Sequence, residues 1–373
     1  MLIVYDTSNF VDYPIGGQLT SVRNFLKYLV ESRADIASNT LLVGVTLFEE
    51  EIGKVCSVSI DGCSFSFLPV ALAERDQNNA RGSLRLRYML GLVKHLGIIN
   101  KTEPIVNYIH TPEAYLPAKL ITGADVFVFS HGSFLDMKDN LRFYKGSAIA
   151  SLFQCYLHFI IRKSKGIFVL DGDTFTRYKE MGARVHLARN SIVTHDEWLE
   201  RSVDAYAINV LFVGRLSAVK NIEPIINACE SECRIRSLRI AGAGEQFDHL
   251  RSLAKKKTEF LGGLNRNQVE DEMRHADVLV MNSIHEGVPM AVLEAMSLSL
   301  PVISTNVGGI SEVVNFGVGG LSTDGTARSI RKAVLEIADN YRYYSIGAYK
   351  QSLGYSYRSV NAEIIEVLLG EEG

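Results

Sequence analysis

Short runs of β-branched and aliphatic residues alternate with amphipathic segments along the chain. This alternation predicts parallel strands joined by helices that cover both faces of a sheet. The expected strands are residues 2–5, 41–45, 104–109, 125–130, 166–170, 208–214, 238–242, 258–262, 277–281 and 301–305. Helical periodicity is clear at 19–30, 268–275 and 327–340. The predicted fold class is therefore α/β with doubly wound sheets.

The length of 373 residues suits two domains better than one. A polar segment at 190–207 precedes a new strand and is expected to join them. We predict Rossmann-like domains at 1–200 and 201–356, followed by a C-terminal segment at 357–373 whose helix crosses back to the first domain. Ligands of doubly wound sheets bind at the carboxyl ends of strands. Residues directly after strands, facing a cleft between the domains, are therefore the candidates for function.

Composition excludes several classes of protein. The 39 basic and 42 acidic residues give a net charge of −3, so no overall positive field indicates a nucleic-acid partner. The five cysteines lack zinc-site spacing and are expected to be reduced thiols. The start of the chain lacks the basic region of a signal peptide. The longest apolar-leaning run in the sequence, 149–161, is too short to span a bilayer. We expect a cytoplasmic protein.

Two acids bracket a predicted helix start in the segment EGVPMAVLE, residues 286–294. Pro289 suits the first turn of a helix, which places Glu286 in the entry loop and Glu294 inside the helix. Amides at a helix N-terminus attract anions such as a diphosphate. Glu294 would then accept from ribose hydroxyls and Glu286 from a second, sugar-like group. Two ordinary carboxylates favoured by the helix dipole explain the segment equally well on its own.

Two further motifs follow strands in the second half. Arg215 and Lys220 lie after Gly214, across a strand-to-helix turn, where they offer a planar fork and a point charge to a phosphate. A solvated loop end is an equally good interpretation. Gly242-Ala-Gly244 allows backbone amides to approach a phosphate, although a tight strand-to-helix turn explains it better.

The first half offers weaker signals. Gly16 and Gly17 allow close backbone approach to a ligand, or simply a turn. His131 lies at the carboxyl end of a predicted strand, where a lone histidine is more often structural, yet its position favours function. The pair Asp171-Gly172-Asp173 fits a divalent-metal site or a strand-end turn; we favour the turn and expect no metal.

The order of these motifs resembles the C-terminal domain of retaining GT-B-type glycosyltransferases, and most of all glycosyltransferase family 4. Six segments carry the resemblance: GRL…K (214–220), GAGE (242–245), FLGGL (260–264), HADVLVMNS (275–283), EGVPMAVLEAM (286–296) and PVISTNVGGISEVV (301–314). The first half matches more loosely; its HGSFLD segment (131–136) is similar to a stretch of members that build bacterial surface polysaccharides.

The resemblance implies a hexosyl-type transferase. The second domain would bind a nucleotide diphosphate sugar as donor, and the first domain would bind a glycan or lipid-linked acceptor. The sugar would move to an acceptor hydroxyl with retention and without a metal or other cofactor, in the synthesis of O-antigen, capsule or exopolysaccharide. An isomerase or phosphorylase on the same fold, or a non-catalytic GT-B-like partner, are the alternatives.

Residue roles also follow from the resemblance. Arg215 and Lys220 would neutralise the diphosphate, Glu294 would hold the ribose, and Glu286 would contact the sugar. His131 would reach the sugar near the reacting carbon. The other expected donor contacts are Gly16, Gly17, Gly214, Gly242, Leu264, Gly287, Val288, Met290 and Ala291. The chain departs from the family pattern at Asn221, where a glycine is usual, and at Asn282-Ser283, where Pro-Ser is usual.

Two stretches, 81–97 and 141–166, mix basic and apolar residues. Amphipathic helices with one buried face explain them. Docking on an anionic membrane surface is the sharper hypothesis, and it suits an enzyme with a lipid-linked acceptor. The protein would then be peripheral on the inner face of the membrane.

Overall fold

The computed structural model describes residues 1–14, 17–74, 83–120, 124–132, 134, 148–195 and 197–371, without the side chains of 148–150. They form two compact units, one of Met1–Ser191 with Tyr357–Gly373 and one of Ile192–Ser356. The N-terminal segment of the first unit ends at Ser191, whereas the predicted limit was residue 200. Each unit is built on a sheet of mainly parallel strands with helices on both faces, which confirms the predicted fold class.

The described part of the first unit has one sheet in the order β3-β4-β2-β1-β5-β6-β7-β8, parallel except for the β3–β4 hairpin. The strands are β1 Leu2–Tyr5, β2 Thr40–Thr46, β3 Cys56–Ile60, β4 Cys63–Leu72, β5 Val106–Ile109, β6 Asp125–Ser130, β7 Gly166–Val169 and β8 Val185–Leu187. The helices are α1 Gly17–Ser32, α2 Ala34–Ala37, α3 Leu84–Asn100, α4 Tyr115–Lys119, α5 Ala148–Lys163 and α6 Gly172–Glu180.

The β3–β4 hairpin was not predicted. In both strands exposed serines alternate with half-buried or buried residues near the turn, so no continuous apolar run marks them. Asp61 and Gly62 form the two-residue turn with φ of 48° and 83°, the left-handed backbone that such hairpin turns require. Strand β8 was also missed, because three residues leave too little periodicity to read.

The second unit has a fully parallel sheet in the order β11-β10-β9-β12-β13-β14 within its described residues. The strands are β9 Ile208–Val213, β10 Ile235–Ala241, β11 Thr258–Gly262, β12 Val278–Met281, β13 Val302–Thr305 and β14 Gly320–Thr323, of which β14 was not predicted. The helices are α7 Glu223–Ser231, α8 Phe247–Leu253, α9 Arg266–His275, α10 Met290–Ser297, α11 Ile310–Val313, α12 Ala327–Asp339 and α13 Tyr341–Ser352.

Each sheet has a switch point in its strand order. In the second unit the chain builds outward from β9 to β11 and then returns to place β12 on the other side of β9. In the first unit the same reversal separates β1 from β5. Loops that leave adjacent strands in opposite directions open a crevice there, and this is where doubly wound sheets bind ligands.

After the second unit, helix α14 (Tyr357–Leu369) belongs to the first. Its apolar face, with Val360, Ile364 and Leu368, is buried in the same core cluster as Phe25 of α1. The guanidinium of Arg358 pairs with Glu31 of α1 at 3.2 Å. Burial of the apolar face, worth ~1.5–3 kcal/mol for each fully buried aliphatic side chain, supplies most of the attachment, because the exposed ion pair contributes little.

Two glycines of α3 make a matched test of how this helix packs on β4. A Cβ on Gly91 would lie 2.0 Å from the carbonyl oxygen of Val70 in β4, whereas a Cβ on Gly97 meets nothing within 4 Å. We expect Gly91→Ala to destabilise the protein by about 1–3 kcal/mol through overpacking. Gly97→Ala should stabilise it by about 0.5–1 kcal/mol through helix propensity. Thermal unfolding of both variants checks this, and equal melting temperatures would contradict the packing of α3 on β4.

Candidate functional site

Two loops meet at the switch point of the second unit. The first follows β9 and carries Arg215 and Lys220; the second follows β12 and leads into α10. The amide of Ile284 donates to the carbonyl of Val219 at 2.8 Å, which joins the loops directly. The side-chain nitrogen Nδ2 of Asn282 also donates to the carbonyl of Asn221, at 2.9 Å. These hydrogen bonds hold residues 214–221 and 282–289 together at the carboxyl ends of two strands, where the sequence predicted the functional residues.

The two departures from the family pattern lie in this junction. Asn221 has φ 45° and ψ 54°, the left-handed conformation in which glycine is most common and asparagine is tolerated. Asn282 is fully buried, and its amide holds the carbonyls of Asn221 and Gly325 at 2.9 and 3.1 Å. The asparagines therefore maintain the turn that presents Lys220.

Lys220 and Glu286 form an ion pair across the two loops. The ammonium nitrogen lies 2.7 and 2.6 Å from the two carboxylate oxygens, and the side chains are only 17% and 12% exposed. Sequence reasoning gave each of them a separate part of a ligand to contact. In the structure the two charges neutralise each other.

Arg215 is placed differently. Its side chain is 75% exposed, and its guanidinium pairs with Glu245 at 3.3 Å, a contact that contributes little in solvent. Glu245 ends the Gly242-Ala-Gly244 turn, which packs on the Gly214 loop: a Cβ on Gly242 would lie 1.8 Å from the carbonyl oxygen of Gly214. The glycines thus permit tight packing of two turns, and Arg215 projects from them into solvent.

The entry into α10 is open. The helix begins at Met290, and Pro289, which the sequence placed in the first turn, is its N-cap; the N-cap residue makes no side-chain capping hydrogen bond. The first amides of a helix have no partner within it, so those of Met290 and Ala291 point out of this end. Gly287 is exposed, whereas Val288, Met290 and Ala291 are partly buried against the core. Leu264, after β11, is likewise half-buried.

A glycine pair after β13 supports this entry loop and was not among the predicted site residues. Gly308 has φ 56°, and a Cβ there would lie 1.7 Å from the carbonyl oxygen of Glu286. The amide of Gly309 donates to the carbonyl of Gly287 at 3.2 Å. The paired glycines directly after the strand 301–305 were the signal that identifies them.

Glu294 lies in α10 behind the entry loop. Burial raises the pKa of its carboxyl above the ordinary value of 4.5, while the nearby charge of Arg266 lowers it and that of Glu270 raises it. No hydrogen bond or ion pair of this carboxylate exists within the described ranges. A half-buried acid without a partner favours a ligand that donates hydrogen bonds, such as a diol.

The predicted residues of the first unit are only partly described. Gly17 begins α1, and Gly16 lies outside the described residues, as do Ser133, Leu135 and Asp136 of the HGSFLD segment. His131 follows β6 and is partly exposed. Its Nε2 lies 2.9 Å from Nδ1 of His110, a buried residue after β5 that sequence reasoning missed. Burial lowers the pKa of His131 to about 3, so the ring is neutral.

The competing signals have structural explanations. The carboxylate of Asp171 caps α6 by accepting from the amide of Thr174 at 2.7 Å, which fits the favoured turn. The described residues contain no group of three or more metal-ligating side chains. All five cysteines are free thiols. No helix in the described ranges has the length and apolarity needed to cross a bilayer.

Comparison with known proteins finds a family match for most of the second unit. Residues 203–351 match the family Glycosyl transferases group 1. An uncharacterized glycosyltransferase of Methanocaldococcus jannaschii is 36% identical over 119 residues, which are 30% of this chain and 30% of that protein. The O-antigen biosynthesis glycosyltransferase WbnH of Escherichia coli is 31% identical over 163 residues, or 43% and 46% of the two chains. The chain thus spans less than half the length of these relatives.

Solved structures extend the likeness to the whole chain. Sucrose-phosphate synthase from Thermosynechococcus elongatus has a TM-score of 0.78 at 14% identity, over 99% of this chain and 98% of that one. Anabaena HepE in complex with UDP-glucose has a TM-score of 0.68 at 16% identity, over 99% of each chain. Identities this low establish the fold alone, and that fold is GT-B, as the resemblance implied.

Because the pKa of Glu294 is raised, replacing this residue should increase the stability of the protein in a pH-dependent way. A carboxyl whose pKa is higher in the folded than in the unfolded state lowers stability once it ionises, so the cost is present above the folded pKa and absent below 4.5. We expect Glu294→Gln to melt at a higher temperature than wild type at pH 8, with the difference vanishing near pH 4.5. Exposed Glu200 provides the control, and Glu200→Gln should show no such dependence. A pH-independent difference for Glu294→Gln would contradict this account.

Proposed function

We propose that the protein is a retaining, metal-independent glycosyltransferase of family 4 whose donor is a nucleotide diphosphate sugar. The observation that carries the proposal is the convergence of Lys220, Glu286 and the uncapped start of α10 on one switch point, inside the region that matches Glycosyl transferases group 1. A diphosphate fits the amides of a helix N-terminus beside a lysine. The UDP-glucose complex of HepE, which has the same fold, supports a donor of this class.

The ion pair gives the site a defined exchange of partners. A diphosphate competes with Glu286 for Lys220, because both are anions within reach of one ammonium group. Once Lys220 turns to the diphosphate, the carboxylate of Glu286 is left to accept from hydroxyls of the sugar. Arg215, which is exposed and weakly paired, turns to the diphosphate from the rim. Glu294, behind the loop, accepts from the ribose hydroxyls.

Catalysis in this scheme is electrostatic. As the bond between the sugar and the diphosphate breaks, negative charge grows on the leaving oxygen. Lys220, Arg215 and the amides of Met290 and Ala291 stabilise that charge. The acceptor hydroxyl attacks on the face that the diphosphate leaves, which retains configuration, and the departing phosphate oxygen takes its proton. The chain supplies the positive charge in this scheme, so the reaction calls for no metal or cofactor.

We propose a glycan or lipid-linked acceptor that binds the first unit, and a role in bacterial surface polysaccharide synthesis. The name of the WbnH relative, an O-antigen biosynthesis glycosyltransferase, supports this assignment. The reaction and a cytoplasmic location on the inner face of the membrane belong to the same proposal. An isomerase or phosphorylase on this fold differs in its product, because neither releases a nucleoside diphosphate in an acceptor-dependent way.

The donor assignment is tested with UDP-, GDP- and ADP-sugars. One nucleotide class should raise the melting temperature, since a ligand that binds only the folded state stabilises it. Lys220→Met should lower kcat by about 10²–10³-fold, the usual effect of losing one group that stabilises a leaving oxyanion. Exposed Lys256 gives the matched control, and Lys256→Met should keep wild-type turnover. Near-normal turnover in both single variants, Lys220→Met and Arg215→Ala, would refute leaving-group stabilisation by these residues.

One face of the first unit favours the membrane hypothesis. Helices α3, α4 and α5 pack on the same core cluster and contain no acidic residue. Leu86, Leu90 and Val93 of α3 are 51–58% exposed and share one stripe, three and four residues apart. The exposed side chains of these helices also include the apolar or basic residues Arg85, Lys94, Leu116, Lys119, Leu152, Phe159, Arg162 and Lys163, and Leu120 is exposed directly after α4. We therefore propose that this face docks on anionic lipid. Residues 81–82 and 141–147 of the predicted stretches lie outside the described residues.

Vesicle flotation tests the docking face. The wild-type chain should float with phosphatidylcholine vesicles that contain phosphatidylglycerol, and less so as salt rises, because the attraction to anionic lipid is screened. The triple change Leu86→Ser, Leu90→Ser and Val93→Ser should abolish flotation. Tyr206, a large aromatic side chain that is 79% exposed in the second unit, supplies the control Tyr206→Ser. Equal flotation of the triple variant and this control would refute the assignment of the face.

A further inference from the structure

The switch point of the first unit holds a buried polar network that includes His131. Asp6 follows β1, His110 follows β5 and His131 follows β6, so the three lie at neighbouring strand ends. Asp6 and His110 are 1% and 5% exposed. Such side chains are retained inside a protein only when hydrogen bonds satisfy them.

Gln18 of α1 joins the network from above the strand ends. Its amide nitrogen donates to the carboxylate of Asp6 and, at 3.5 Å, to the carbonyl oxygen of His110. The backbone amide of His110 in turn donates to the carbonyl of Tyr5 at 2.9 Å. The backbone of His110 is therefore held from two sides, and its ring has a fixed direction.

The ring of His110 lies between aromatic neighbours. It stacks on Phe129 with centroids 5.5 Å apart and an angle of 24°, and Tyr108 meets it edge-on at 4.5 Å. Its Nδ1 lies 2.9 Å from Nε2 of His131, while its own Nε2 is buried and has no hydrogen-bond partner among the residues that the structure describes. Burial lowers the pKa of both imidazoles, so both rings are neutral and share one proton between Nδ1 and Nε2.

The orphaned Nε2 decides where that proton lies. If His131 donated, His110 would carry its own proton on Nε2, an N–H group buried without an acceptor. If His110 donates from Nδ1, its Nε2 is a bare lone pair among aromatic rings. Among backbone groups, buried N–H donors without partners are rarer than buried acceptors without partners, and we apply the same preference to this ring. His110 is therefore the donor, and His131 must hold its proton on Nδ1.

We propose that His110 is a positioning residue that fixes His131 as a neutral Nδ1–H donor toward an oxygen of the substrate. His131 is the partly exposed member of the pair, so its Nδ1–H is the end that a ligand can reach. With its Nε2 lone pair occupied, His131 orients an oxygen by donating to it and does not act as a base. The substrate half of this inference rests on the proposed function; the tautomer does not.

Nitrogen NMR on the full chain labelled with ¹⁵N-histidine tests the tautomer at pH 7.5. His131 should show a protonated Nδ1 and an unprotonated Nε2, with its signals assigned from their loss in His131→Asn. His110→Phe keeps an aromatic ring but removes the donor, and it should shift His131 toward the Nε2–H form. His110→Asn places an amide N–H near the position of Nδ1 and should restore the wild-type pattern.

Turnover provides the second readout. His110→Phe should lower kcat about tenfold with little change in the donor KM, and His110→Asn should recover most of the loss. His249→Phe, in exposed α8 of the second unit, is the control and should keep wild-type kcat. A wild-type His131 protonated on Nε2 would overturn the inference even if His110→Phe failed to fold. The expected tautomer in a chain that transfers no sugar would instead overturn the proposed function.

Discussion

Parallel pairing of β12 beside β9 is the constraint on which the candidate site depends. Val278 and Leu279 register with Val210 and Leu211, so the two strands end at the same edge of the sheet. The loops that follow must then meet, and Lys220 and Glu286 form their ion pair although they are 66 residues apart in sequence. The glycine pair after β13 supports the same loop from the next strand. Three adjacent strand ends thus build one site, and no single motif does so.

Much of this was readable from the sequence because it depends on local rules. Apolar runs identified the strands that are buried on both faces, and Pro289 identified the start of α10. The β3–β4 hairpin was missed because exposed serines alternate with its half-buried and buried residues near the turn, which interrupts the apolar run. These residues form strands because they pair with neighbouring strands, and such pairing cannot be read from a local stretch of sequence.

The state of the site could not be predicted from spacing. Sequence patterns assigned Lys220 and Glu286 to different parts of a ligand, since nothing in the motifs says that the two charges touch. The burial of Glu294 depends on how α10 packs, which is again a tertiary property. His110 was missed for a similar reason: it ends a predicted strand just as His131 does, but only the strand order makes β5 and β6 neighbours. The rule that favours residues after strands would have identified Asp6 and His110 had it been applied to every strand end.

Helix α14 has a consequence for how the chain is made. The second unit is continuous in sequence, whereas the first lacks part of its core until the segment after Ser356 has been synthesised. Before that point, Phe25 and its neighbours on α1 are not covered by Val360, Ile364 and Leu368. On a ribosome, domains generally fold in order from the N-terminus. Here the second unit can finish folding before the first, and the apolar face of α1 stays exposed until α14 has been synthesised. The nascent chain is most exposed to aggregation and to chaperones in that interval, and the last helix ends it.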